Sequence, residues 1–189
     1  MVTTIIFCPM NYIKLCIKWT VCLLSCVCIT FSCGNSWEKE AEKLIGQEVI
    51  FPTKMFGYVS GEFVIVDIKQ KLLDSRGMVV SVYSEVECKS CLAEKIPDMA
   101  MLIKEVVGDA PVLFVFPMSV GKELQTISKL TPDVYCMFDM NFEFTESNPF
   151  IPKQEMLQTW LVDNSSHIVV CGNPSLNEKV SELYKQTLK

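Results

Sequence analysis

Between residues 77 and 138 the chain alternates continuous apolar runs with helix-period stretches, and this alternation decides the fold class. Residues 78–84 read MVVSVYS, 111–117 read PVLFVFP and 134–138 read VYCMF. Such runs lack polar alternation, as strands do when a parallel sheet is covered on both faces. Residues 92–107 place Leu92, Ile96, Met99, Leu102, Ile103 and Val106 on one helical stripe, and residues 122–130 do the same with Leu124, Ile127 and Leu130. Strand, helix, strand, helix, strand requires crossover connections and therefore parallel neighbours.

The rest of the chain adds to that frame. Residues 139–158 form a long aromatic connection with Phe142, Phe144 and Phe150, whose rings either cover the core or present a binding surface. Residues 159–163 and 167–171 read as two strands joined by Asn164-Ser165-Ser166, an antiparallel hairpin. Ser175 and Glu178 suit a capping box for a last helix with Leu176, Val180, Leu183, Tyr184 and Leu188 inward. Before residue 77, a helix capped by Asn35 or Ser36 ends at Gly46. Strand-like runs follow at 48–51 and 63–68, with Pro52, Gly57 and Gly61 in a loop between them. The predicted class is α/β, a mixed sheet with helices on both faces, preceded by a short helix and strand arm.

The N-terminus reads as an address. Lys14 and Lys18 precede an apolar run over 19–32, followed at once by Gly34-Asn35-Ser36 and charges. The run is shorter than the roughly 20 apolar residues a membrane span needs. Met10 is the more natural start of such a signal. Its end, Ser32-Cys33, is similar to the lipobox of bacterial lipoproteins, which makes Cys33 the candidate lipidation site, although Thr30 stands where those proteins prefer Leu. Leu23-Leu24-Ser25-Cys26 is a rival box that would leave an apolar tail. An ordinary secretory signal with an incidental Cys33 is the other alternative. The expected division is a signal at 1–32, an arm at 33–76 and a domain at 77–189. The expected location is the bacterial cell envelope, lipid-anchored to a membrane and facing the periplasm or the exterior.

Six of the ten cysteines lie in the first 33 residues, so this is not a small disulfide-knot protein. A formal charge of −5 argues against a nucleic-acid partner, because phosphate needs a basic patch.

The chemistry concentrates in Cys88-Lys89-Ser90-Cys91, between the first apolar run and the first crossover helix. Two residues between cysteines at a helix start bring the sulfurs within bonding reach. The unpaired N–H groups and dipole there favour a thiolate on Cys88, and Cys91, one turn on, is placed to resolve a mixed disulfide. Metal sites also use this spacing, but with a second pair or histidines, and the lone His167 lies in the hairpin. No metal or cofactor is expected. A purely structural Cys88–Cys91 bridge is the plain alternative.

With its flanking elements, the region 77–189 is similar to the thioredoxin-fold proteins of the TlpA/ResA and AhpC/TSA type, especially lipid-anchored bacterial members. The shared pieces are the strand before Cys88, the second apolar strand at 112–116, the inserted strand at 134–138, Thr159-Trp160-Leu161-Val162-Asp163 and the turn Gly172-Asn173-Pro174. The resemblance implies a thioredoxin-like fold and thiol–disulfide exchange at Cys88 and Cys91. It also implies that the strands holding Cys136 and Cys171 lie at opposite edges of the sheet. Three positions depart from the family. Leu157 stands where a cis-proline is usual, Val82 where thioredoxin keeps a buried Asp, and Glu87 where a tryptophan precedes the motif. Glu87 raises the Cys88 pKa while Lys89 and the helix start lower it.

Two functions stay open on this reading. One is a membrane-anchored, extracytoplasmic thiol–disulfide oxidoreductase acting on protein thiols or disulfides. The other is a non-catalytic thioredoxin-fold lipoprotein serving as a binding or structural module.

Overall fold

The three apolar runs form the centre of the sheet. In this computed structural model, which describes residues 36–83, 89–117, 121–130 and 134–189, they become β3 (Met78–Val82), β4 (Val112–Pro117) and β5 (Val134–Asp139). β3 pairs in parallel with β4, Val79 beside Val112, and β4 with β5, Val112 beside Val134. Every residue of β3 is buried, which is why its sequence has no polar alternation. β6 (Thr159–Val162) runs antiparallel to β3, and β7 (Ile168–Cys171) antiparallel to β6.

The crossovers are α3 (Lys89–Val107) and α4 (Gly121–Leu130). Both connections step the same way across the sheet, so right-handed crossovers place both helices on one face, where they pack on each other. The C-terminal α6 (Glu178–Thr187) packs against α3. Strand parity separates the two faces. Ser81 lies beside Phe114, and Tyr83 continues that side, its hydroxyl 3.6 Å from Met99 Sδ of α3. Val80 lies beside Trp160 on the other side, where Phe150 of the long connection rests against the indole.

The expected mixed sheet with helices is present, with differences in the arm. Residues 48–51 were expected as a strand but make a single bridge, Glu48 to His167. The expected loop around Gly57 is instead β1 (Met55–Val59), which forms a hairpin with β2 (Glu62–Val66) through a two-residue turn at Ser60 and Gly61, both at positive φ. β1 also pairs antiparallel with β5, so the described residues form a seven-stranded sheet in the order β2-β1-β5-β4-β3-β6-β7. β5 is therefore not an edge strand. Gly57 is a strand residue for a steric reason. A Cβ there would overlap the Cys136 carbonyl oxygen, so only glycine permits this approach of β1 to β5.

Helix details differ too. α1 (Ser36–Leu44) buries Ala41 and Leu44 and is followed by Gly46 at φ +83°, whose N–H reaches the Ile168 carbonyl. Ile68, expected as the end of a strand, opens α2 (Ile68–Leu73), capped by Asp67. α3 buries Ile96, Ala100, Ile103 and Val107, while Leu102 faces out. α6 is capped by Asn177, whose side chain accepts from the N–H groups of Lys179 and Val180. Ser175 turns its hydroxyl to Asn173 instead, and Leu176 and Leu183 are exposed.

The connection from 140 to 158 is not structureless. A 3-10 turn at Met140–Phe142 leads into α5 (Glu143–Ser147), and a second 3-10 turn, Glu155–Leu157, leads into β6. Phe144 is fully buried against Phe51 and fills the core, while Phe150 is half-buried and covers the Trp160 indole. Phe142 alone of the three stands exposed. No helix among the described residues is long and apolar enough to cross a membrane.

Candidate functional site at the carboxyl ends of the parallel strands

The carboxyl ends of β3, β4 and β5 converge on one rim of the sheet, where open α/β sheets place their ligands. The chain leaving β3 passes through Tyr83 and returns as α3. Cys91 sits in the first turn of that helix and is exposed. Cys91 lies about 140° around the helix from Ile96, well off the buried stripe, which turns its sulfur outward. Cys88 and Cys33 lie outside the described residues, as does Glu87.

Tyr83 anchors the strand end that leads to the motif. Its ring stacks on Phe116 with centroids 4.9 Å apart and lies 6.1 Å from Phe114. Burial pushes its phenol well above the ordinary tyrosine range, a hydrogen bond from the Ser81 side opposes this, and the Glu155 charge adds to the rise. It is a structural tyrosine, protonated at any physiological pH.

Beside it lies a small, shallow depression lined by Val82, Tyr83, Val115, Pro117, Asp139, Phe142 and Thr145. Asp139 is buried and committed. It accepts hydrogen bonds from the Phe144 N–H, the Thr145 N–H and the Thr145 hydroxyl, capping the start of α5. Asn141 and Phe142 both sit at positive φ, 55° and 62°, an uncommon pair for non-glycine residues. That backbone holds the exposed Phe142 ring at the lip of the depression. Sequence patterning could not find this feature, because an aromatic residue in a long connection carries no signal of its backbone angle.

The two remaining cysteines among the described residues are poorly placed for exchange chemistry. Cys136 on β5 and Cys171 on β7 are buried, and desolvation pushes both thiols up to about 12. β4, β3 and β6 lie between their strands, which puts them roughly 19 Å apart at about 4.8 Å per strand. Bridged cysteines need Cα atoms within about 7 Å. Among the described residues no three His, Cys, Asp or Glu side chains gather as a metal site.

No protein-family model matches the chain, and no curated protein sequence does. Solved structures do. AhpC from Enterococcus faecalis is 16% identical and superposes with a TM-score of 0.52, covering 76% of this chain and 90% of its own. The fold is thioredoxin-like. A putative thiol-disulfide oxidoreductase from Bacteroides vulgatus is 15% identical with a TM-score of 0.48, covering 71% of this chain and 85% of its own. A cysteine-to-serine mutant of PrxQ from Xylella fastidiosa has the same identity and TM-score, covering 75% and 93%.

At two positions where the sequence departs from the thioredoxin pattern, the structure makes the difference concrete. Val82, in place of a buried carboxylate, is 1% exposed and apolar. Leu157 is fully buried at the end of a 3-10 turn, and no cis peptide bond occurs among the described residues. Both of its backbone groups are occupied internally. The N–H donates to the Gln154 carbonyl, and the carbonyl accepts the Trp160 indole N–H at 2.6 Å and the Cys171 thiol at 3.6 Å.

Proposed function

We propose that this chain is a membrane-anchored, extracytoplasmic thioredoxin-like protein that exchanges disulfides with protein thiols through Cys88 and Cys91. The observation that carries the reading is the exposed Cys91 in the first turn of the helix that follows β3. A cysteine three residues ahead of it at a helix start supports the reading of a redox pair. In the reducing direction the Cys88 thiolate attacks one sulfur of a substrate disulfide, forming a mixed disulfide and releasing a substrate thiolate. The Cys91 thiolate then attacks the Cys88 sulfur, releases the second substrate thiol and leaves a Cys88–Cys91 disulfide. Two electrons pass from the dithiol to the substrate, and the reverse sequence oxidises a substrate dithiol. The lipid anchor at Cys33 rests on the basic, apolar, Ser32-Cys33 layout of the leader.

A second reading, a non-catalytic binding module, is favoured by Leu157. Its occupied backbone offers no free N–H or C=O to an incoming substrate strand. The reduction potential of the Cys88/Cys91 pair separates the two. A value above roughly −300 mV supports a working dithiol, and one below it a structural bridge. Membrane partitioning of Cys33→Ala tests the anchor separately. Loss of membrane association is expected, and full retention would remove the anchor from the proposal.

A further inference from the structure

The two edges of the sheet are treated differently. Beside β7 the chain lays down residues 46–49. Ile168 N–H donates to Gln47, Gly46 N–H to Ile168 and Val49 N–H to Ser166, so that edge is occupied from within. At the opposite end, among the described residues, β2 pairs only with β1. In a hairpin with a two-residue turn, the pair next to the turn, Val59 and Glu62, is hydrogen-bonded, and pairs alternate from there. Glu62, Val64 and Val66 therefore direct their backbone groups to β1. Phe63 and Ile65 direct theirs to the open side. The same two residues are the most exposed apolar side chains of the hairpin, at 58% and 57%, on the face where Phe63 meets Tyr58 edge-on at 5.7 Å.

We infer that β2 pairs antiparallel with β2 of a second copy of this chain about a two-fold axis at Val64. The sequence of the edge is self-complementary in this register. Phe63 faces the copy's Ile65, and Ile65 its Phe63, each pair exchanging the open N–H and C=O groups and placing an aromatic beside a β-branched chain. Charge fits as well. The register brings Asp67 opposite Gly61 of the copy, and the Lys129 side chain lies across Gly61, filling the space a Cβ there would take. Each copy thus sets one carboxylate near one ammonium, twice over by symmetry. An isologous pairing of this kind closes on itself, so the exposed edge ends in a dimer rather than a fibre.

Cysteine trapping in the full chain tests the register, with Cys88 and Cys91 changed to Ser so that the helix-start pair cannot crosslink. Val64→Cys sits on the axis in a non-hydrogen-bonded pair, with Cα atoms about 4.5 Å apart and so within bridging range. It should give at least about tenfold more disulfide-linked dimer than Phe63→Cys or Ile65→Cys, over the baseline of the same chain with Val64 intact. Equal linking at all three positions, or none above baseline, overturns the proposal. Sedimentation of the unaltered chain gives a second measurement that does not depend on those variants. A dimer that Ile65→Lys converts to a folded monomer supports the pairing. A chain that is monomeric throughout, or a dimer indifferent to Ile65→Lys, refutes it.

Discussion

The side-chain amide of Asn148 holds both backbone groups of Ile50, 98 residues away in the chain. Its Oδ1 accepts the Ile50 N–H at 2.8 Å and its Nδ2 donates to the Ile50 carbonyl at 2.8 Å, with the Phe144 carbonyl 2.7 Å from the same nitrogen. Asn148 is fully buried, and it gives residues 48–51 the partner a neighbouring strand would otherwise supply. This contact ties the arm to the connection that carries Phe142.

Asn148→Ala should therefore cost about 1–3 kcal/mol, since it strands the Phe144 carbonyl and both polar groups of Ile50. Asn148→Asp should cost at least as much, because a carboxylate would face two carbonyl oxygens with no proton to offer. Denaturant midpoints check both, and an Ala variant as stable as the parent would show that water replaces the amide without loss.

Glycine substitutions should sort by the space beside each one. Gly57→Ala, aimed at the Cys136 carbonyl, should cost about 3 kcal/mol or prevent folding. Gly108→Ala has open space and only a positive φ of 60°, so about 1 kcal/mol is expected. Comparable losses at the two sites would argue against the close β1–β5 approach.

On the alkaline side, stability should begin to fall between about pH 8 and 9 and keep falling as the pH rises toward 12. The Cys136 and Cys171 thiols ordinarily ionise near 9.0, and burial holds both at about 12 in the folded chain. Between those values the unfolded chain releases protons that the folded chain keeps, which favours unfolding. Each thiol adds a slope of up to about 1.4 kcal/mol per pH unit. The buried Tyr184, raised well above 10.0, steepens the upper part of the limb. Denaturation at about pH 8 and about pH 10.5 should show a smaller difference for Cys136→Ala than for the parent. An unchanged slope would mean that this thiol ionises in the folded state.

Non-reducing peptide maps of the folded protein should contain no peptide joining Cys136 to Cys171. Three strands separate theirs, and no side-chain movement closes that gap. Such a crosslink would contradict the strand order itself.

The sequence determined the elements whose signals are local. The apolar runs at β3, β4 and β5 have no polar alternation because both faces are covered, so parallel strands and crossover helices were legible in the residues themselves. The Cys88-to-Cys91 spacing and the hairpin at Asn164-Ser165-Ser166 were legible for the same reason. Tertiary structure alone decided where the arm went. Gly57 reads as a loop residue until β5 lies beside it, when the absent Cβ becomes the condition for pairing. It also decided the two faces of Leu102 and Leu176, which helical periodicity turned inward and which the neighbouring elements leave in solvent. At the site, Cys91 was named by spacing, but its outward direction, the positive φ of Phe142 and the engaged carbonyl of Leu157 were not. Each of these depends on groups far apart in the chain, and the energy of such a contact is not written in the residues on either side of it.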